Sequence, residues 1–169
     1  DSGLYETAVF LPVDSVGMLN YSISITDVGN NTFHFSGHMN VLDIIAPVIA
    51  SQIPSEWTTG DALTLIANVT DNIGVLETSY QWHQNALSGE GDMVLNTSSG
   101  LWTAELMVPN STEPLNLTIH ARDVSGLIGE FQATLVIVDD DPPEAICQAP
   151  RDITIAQAVV LDGSASTDN

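Results

Sequence analysis

Aspartate and asparagine residues recur at the ends of apolar segments, where side chains from separate turns can share a cation. Ca²⁺ takes about six to eight oxygen ligands, many of them from carboxylates and backbone carbonyls. We therefore predict Ca²⁺ as the one cofactor of the chain, at two positions that would mark the ends of a module. The first set of candidate ligands is Asp43, Asp71, Asn72 and Asp123, and the second is Asp139, Asp140, Asp141 and Asp168.

Both acidic sets also have a simpler structural interpretation. Asp123 and Gly126 hold the first and fourth positions of the sequence DVSG, which suits a type I turn. The run from Asp139 to Asp141 is a block of charge that solvent alone can accommodate. At the level of sequence, the turn, the solvated run and the metal site all stay open.

The charge of the chain excludes whole classes of partner. The chain has 22 acidic residues against two basic ones, for a formal net charge of −20 at pH 7. Such a field repels nucleic acid and anionic membrane surfaces and attracts cations. We predict no nucleic-acid partner, and the absence of an apolar run of about 18 residues predicts no membrane insertion in this segment.

Six asparagines stand in the acceptor sequence Asn-x-Ser/Thr for N-glycosylation. Some are expected on the outward positions of strands and the others in turns, and a glycan needs that access to solvent. The alternative is that Asn, Ser and Thr simply decorate the outer face of the strands. The candidates are Asn20, Asn30, Asn68, Asn96, Asn110 and Asn116.

Residue patterns typical of catalysis are missing. His34 and His38 lie on one predicted strand about 13 Å apart, which is too far for a shared metal ion. Neither a nucleophile elbow nor a phosphate-binding glycine loop occurs. Cys147 is the single cysteine, so an intrachain disulfide is impossible. We predict that the chain is not an enzyme.

The elements that would position the acidic residues are strands, because apolar and polar residues alternate with a period of two. Turn-forming residues separate the strands, among them a predicted turn at Ser88-Gly89-Glu90-Gly91. Seven short strands in about 100 residues are typical of a two-sheet sandwich of immunoglobulin type. The predicted strands lie near residues 47–53, 61–70, 75–84, 92–96, 101–108, 115–122 and 128–138.

The sequence also repeats itself. Residues 19–47 align without a gap with residues 115–143, and the identical pairs include Leu19/Leu115 and Asp27/Asp123. Upstream, Gly3-Leu4-Tyr5 matches Gly100-Leu101-Trp102, and the pattern begins a third time at residue 142. We expect that the chain comes from inside a longer precursor and that both of its ends cut through a domain.

Three motifs resemble those of tandem Ig-like repeats in bacterial and archaeal proteins. YSISITDVGNN (residues 21–31) resembles a late-strand motif, and TDNIGV (residues 70–75) resembles the loop between the second and third strands. VVLDGSASTDN (residues 159–169) resembles the second strand of PKD-type domains. The resemblance implies cadherin-like or PKD-type β-sandwich modules, which serve in large exported proteins as spacers, adhesive stalks or accessory domains.

The expected fold class is therefore all-β, with tandem immunoglobulin-like sandwiches of which one is complete and two are truncated. Residues 1–45 would be the C-terminal half of one domain, 46–141 a complete domain, and 142–169 the N-terminal part of a PKD/Ig-like domain. In this topology the loops after the second and sixth strands meet the incoming linker. The same logic would bring each acidic set together at a domain junction.

We expect a non-catalytic structural or adhesive spacer of an extracellular cell-surface protein, stiffened by Ca²⁺ at its junctions. Its partners would be neighbouring Ig-like domains, together with other surface proteins or glycans. One alternative is a subunit of a surface layer or extracellular filament. Another is a carbohydrate-binding accessory region of a secreted hydrolase, for which Trp57 is the aromatic residue expected in a loop.

Overall fold

The computed structural model describes residues 5–168 and is all-β, as the alternation predicts. The repeat matches that involve Gly3, Leu4 and Asn169 lie outside the described residues. The strands are β1 Gly17–Thr26, β2 Thr32–Val41, β3 Val48–Ser51, β4 Glu56–Thr58, β5 Ala62–Thr70, β6 Val75–Gln84, β7 Leu87–Asp92, β8 Val94–Asn96, β9 Leu101–Met107, β10 Leu115–Asp123 and β11 Ile128–Val138.

Strands β3 to β11 form two sheets that enclose one hydrophobic core. The five-stranded sheet has the order β4-β11-β10-β6-β7, and the four-stranded sheet has the order β3-β5-β9-β8. Every pairing is antiparallel except that of β4 with β11, which run parallel. The arrangement is sandwich-like, with β5 and β10 as central strands of the opposing sheets.

The core is built from the inward rows that alternation predicts. In β5 and β10 every second side chain is buried, and the residues between them are exposed or half-buried. Fully burying one such aliphatic side chain contributes about 1.5–3 kcal/mol, so these two rows supply much of the driving force for folding. The buried rows are Leu63, Leu65, Ala67 and Val69 in β5 and Leu115, Leu117, Ile119 and Ala121 in β10.

Two strands were not anticipated from the sequence. The predicted turn at residues 88–91 is wrong, because these residues belong to β7. The turn lies between β6 and β7, where Asn85 has a φ of 52°. Gly89 and Gly91 instead make room for aromatic rings, since a side chain at either position would collide with Trp82 or Tyr80. Trp57 lies in β4 and packs against the core, so its predicted place in a loop is also wrong.

The described residues outside the two sheets form one hairpin and three segments without strands, at residues 5–16, 42–47 and 139–168. Strands β1 and β2 pair only with each other, and their apolar side chains stay largely exposed, such as Ile23 and Phe35. Residues 139–168 contain two isolated bridges, Glu144 with Thr167 and Gln148 with Asp162. Among residues 5–168 there is no helix of the length and apolarity that crossing a membrane requires.

The central position of β10 predicts a large effect of truncating its core row. Leu117 is 1% exposed, so Leu117→Ala should lower the free energy of unfolding by about 2–5 kcal/mol through lost burial and a residual cavity. Val94, at 69% exposure on an edge strand, offers the control Val94→Ala with an expected loss below about 1 kcal/mol. Urea titration followed by tryptophan fluorescence measures both, and equal losses would contradict this account of the core.

Candidate metal centre

The alternation of side chains along the central strands β5 and β10 places Asp71 and Asp123 at the same end of the core. Side chains two residues apart lie on one face of a strand. The inward row of β10 continues from Ala121 to Asp123, which is completely buried. The inward row of β5 likewise continues past Val69 to Asp71, which is half-buried in the loop before β6. Each row of aliphatic residues therefore ends in a carboxylate.

A third carboxylate reaches this end of the core from the linker that precedes β3. Asp43 is half-buried, and it follows the hairpin strand β2 by two residues. The linker is held close to the sheet, because Pro47 is buried and a side chain at Gly129 of β11 would collide with the Pro47 carbonyl oxygen. This close approach fixes where the linker runs and hence where Asp43 lies.

The three carboxylates are close enough to bind one ion. Asp43, Asp71 and Asp123 each offer one carboxylate oxygen, and these oxygens lie within 4.8 Å of one another. Ca²⁺ binds oxygen at about 2.3–2.6 Å, so two of its ligands are at most about 5 Å apart. The cluster can therefore hold a metal ion, and within residues 5–168 it is the one group of three or more acidic, histidine or cysteine residues with this geometry.

Asp71 and Asp123 each use one oxygen to hold their own loop. Asp71 Oδ2 accepts hydrogen bonds of 2.9 Å from the amides of Ile73 and Gly74. Asp123 Oδ1 accepts one of 2.9 Å from the amide of Leu127. The second oxygen of each carboxylate is buried and has no hydrogen-bond partner among the described residues.

Asp123 also fills the turn role that the sequence offered as an alternative. The Gly126 amide donates to the Asp123 carbonyl oxygen at 3.2 Å, and Gly126 has a φ of 91° that favours glycine. Since only Oδ1 serves the turn, Oδ2 remains available to a cation. The two interpretations of Asp123 are compatible, because they use different oxygens.

Asn72 connects the acidic cluster to a distant part of the chain. Its side-chain nitrogen donates to Asp43 Oδ1 at 3.1 Å and to the backbone oxygen of Val13 at 2.8 Å. Partial burial alone would raise the pKa of Asp43, but hydrogen bonds from Asn72 and from the amides of Ile45 and Ile44, together with one to Asp123, outweigh it, so the pKa lies below the ordinary value. Asp43 therefore remains charged at neutral pH and available as a ligand.

Buried polar atoms without partners concentrate at this end of the molecule. Seven such side-chain atoms occur among the described residues, and four of them belong to the three aspartates and Asn72. A buried polar group without a hydrogen bond is costly, and charged groups cost the most. A bound cation would satisfy oxygens of this kind. The four atoms are Asp43 Oδ2, Asp71 Oδ1, Asn72 Oδ1 and Asp123 Oδ2.

The second predicted set of ligands is not brought together in the same way. Asp139, Asp140, Asp141 and Asp168 are all exposed, and they form no comparable cluster within residues 5–168. In the repeat Asp139 corresponds to Asp43 and Asp168 to Asp71. Among the described residues, 139–168 form only two isolated bridges, so no packed pair of sheets brings these positions together.

All six asparagines of the glycosylation sequences are exposed, which meets the requirement for access. Two of them use their side chains locally. Asn116 Oδ1 accepts a hydrogen bond from Thr134, and Asn96 Oδ1 accepts from the amides of Ser98 and Ser99. The presence of glycans stays a prediction.

Sequence reasoning missed two contributors to the centre. Gly129 matters because backbone must approach backbone there, and Val13 contributes only its carbonyl oxygen. A main-chain carbonyl has no signature in the sequence. Extending the alternation of β10 by one step would have revealed that Asp123 faces the core.

Comparison with known proteins adds no identification. No protein-family model matches the chain, and a search of curated proteins gives no match. The interpretation of the centre therefore depends on its own geometry.

In metal-free protein, repulsion among Asp43, Asp71 and Asp123 should lower the stability of the fold. Asp71→Asn keeps an oxygen that can accept from Ile73 and Gly74 but removes one of three neighbouring negative charges. In chelator at pH 7 we expect the melting temperature to rise by about 2–6 °C, because repulsion between carboxylates is relieved. Differential scanning fluorimetry measures the change, with the exposed Asp152→Asn as a control that should not move it. A lower melting temperature for Asp71→Asn would contradict the prediction.

The packing of the linker gives a second prediction for the centre. Gly129→Ala places a methyl group where the Pro47 carbonyl lies, so the linker must shift. We expect a loss of about 1–3 kcal/mol in unfolding free energy, as for other overpacking substitutions. Gly100→Ala is a demanding control, because a positive φ of 73° disfavours alanine at Gly100 although the space around its Cβ position is open. Chemical denaturation should show the larger loss for Gly129→Ala if packing of the linker is the cause.

Proposed function

We propose that the chain is a non-catalytic structural segment of an extracellular cell-surface protein, built from tandem immunoglobulin-like repeats, and that Ca²⁺ binds at the junction before β3. Its role is to set the distance and the direction between neighbouring modules. Its partners are the adjacent modules of the same protein, together with surface proteins or glycans.

The observation that carries the proposal is the origin of the three carboxylates. Asp43 comes from the linker after the hairpin, Asp71 from the loop between β5 and β6, and Asp123 from the last position of β10. A cation bound to all three would join the linker to both sheets. Such a site restricts the motion of the linker, which is the property that a spacer needs.

Electrostatics supports a divalent cation at this position. Three carboxylates within 4.8 Å repel one another strongly unless a proton or a cation lies among them. Oxygen ligands favour a hard cation such as Ca²⁺ over the softer transition metals. The formal net charge of −20 also raises the local concentration of cations around the whole chain.

The two alternative functions differ in what supports them. The filament subunit is favoured by the exposed apolar side chains of the β1–β2 hairpin, such as Phe33 at 66% exposure, which suit contact with another module. The carbohydrate-binding region loses its best aromatic platform, because Trp57 packs against the core. We retain the spacer as the leading proposal and the filament subunit as the second.

The proposed site predicts stoichiometric binding of Ca²⁺ to the whole chain. Isothermal titration calorimetry should show one dominant site per chain, with a Kd on the order of 10⁻⁴–10⁻³ M, the range of extracellular Ca²⁺ modules. At 10 mM Ca²⁺ this affinity should raise the melting temperature of the sandwich by about 5–15 °C.

Variants separate this site from general attraction of cations by the acidic surface. Asp123→Asn should weaken binding by at least about tenfold, because a buried charged ligand is lost. Asp140→Asn, in the exposed run outside the cluster, should leave the affinity unchanged. Absence of heat and of thermal stabilisation at millimolar Ca²⁺, at constant ionic strength, would refute the proposal.

A further inference from the structure

The segment before the hairpin has one side-chain tie to the pole of the sandwich where the carboxylates converge. Residues 12–15 form a turn in which the Ser15 amide donates to the Pro12 carbonyl at 3.0 Å. Val13 is 75% exposed, and its backbone oxygen accepts a hydrogen bond from the side chain of Asn72, 59 residues further along the chain. This hydrogen bond of 2.8 Å joins the turn to the loop between β5 and β6.

The orientation of the Asn72 amide follows from its partners. Val13 O and Asp43 Oδ1 are both acceptors, so the nitrogen of the amide must face them and the oxygen must lie on the other side. That oxygen is buried and has no partner among the described residues. An amide carbonyl is also one of the ligands that Ca²⁺ takes in proteins.

We propose that Asn72 transmits cation binding to the turn at residues 12–15. In this arrangement Asn72 Oδ1 enters the coordination shell, and its nitrogen bridges the Asp43 carboxylate to the Val13 carbonyl. The inference rests on the proposed cation site and assigns Asn72 a positioning role in addition to that of a ligand.

The physical basis is the dependence of the bridge on Asp43. Without a cation, Asp43, Asp71 and Asp123 repel one another, and this repulsion weakens the hydrogen bond by which the Asp43 carboxylate anchors Asn72. With a cation, the carboxylate is fixed, both donors of the amide stay engaged, and the Val13 carbonyl is held. Cation binding at Asp43 in the linker thereby controls how well the turn at residues 12–15 is ordered.

Hydrogen exchange of the full chain tests this coupling. Exchange in peptides that cover residues 12–16 is followed by mass spectrometry in Ca²⁺ and in chelator, at equal ionic strength. We expect Ca²⁺ to slow exchange of the Ser15 amide by about tenfold or more. Equal exchange in both conditions, in a protein that calorimetry shows to bind Ca²⁺, overturns the inference and leaves the proposed function intact.

Two substitutions at Asn72 separate its role as ligand from its role as bridge. Asn72→Asp keeps oxygen ligands and adds a charge, so Ca²⁺ should bind at least as tightly, but the donor to Val13 is lost and Ca²⁺ should no longer protect residues 12–16. Asn72→Ala should weaken binding by about 3–30-fold and also remove the protection. Asn40→Ala, at an exposed position of β2, should behave like the parent chain.

The combined outcomes are decisive. Protection that persists in Asn72→Asp overturns the bridge, because another contact must then hold the turn. Failure of the parent chain to bind Ca²⁺ overturns both the proposed function and this inference. Tight binding by Asn72→Asp together with loss of protection at residues 12–16 supports the inference and is not expected of a residue that serves only the local loop.

Discussion

In a β-strand every second side chain faces the core. Continuing this alternation past β5 and to the end of β10 places a carboxylate at the end of each buried row. Four aliphatic side chains precede Asp71 in one row, and four precede Asp123 in the other. The opposed sheets then bring the ends of the two rows together. The acidic cluster is thus a direct extension of the core, and its geometry depends on the same packing that stabilises the fold.

This origin explains why the cluster can be both rigid and electrostatically unfavourable. One oxygen of each aspartate accepts hydrogen bonds from its own loop, whereas the other oxygen is buried without a partner among the described residues. The apolar layer on one side keeps water away, which strengthens repulsion between the charges and the attraction of any cation that enters. The stability of the sandwich therefore depends on the cation concentration, because the cation binds at one end of the folded core.

Sequence alone predicts the all-β class and the buried rows, because alternation is a local signal that packing reinforces. It failed at β7, where glycines suggested a turn although they serve to accommodate Trp82 and Tyr80. It also failed at β4, a strand of three residues that is too short to display a period.

Proximity of Asp43, Asp71 and Asp123 was expected from a topology that the motifs suggested, and the structure places them together. The contribution of the backbone could not be foreseen. The close approach of Pro47 to Gly129 and the hydrogen bond from Asn72 to Val13 depend on where the main chain runs, and residue type encodes that only indirectly.

The parallel pairing of β4 with β11 has a mechanical consequence. The chain enters the sandwich through β3, continues into β4 and leaves it after β11. Tension that has detached β3 from β5 therefore pulls the adjacent strands β4 and β11 in opposite directions. Their pairing from Val136 with Glu56 to Val138 with Thr58 is then loaded in shear, with its hydrogen bonds strained together rather than opened one after another. Rupture under load is governed by the unfolding rate, so this short ladder is a natural clamp against extension.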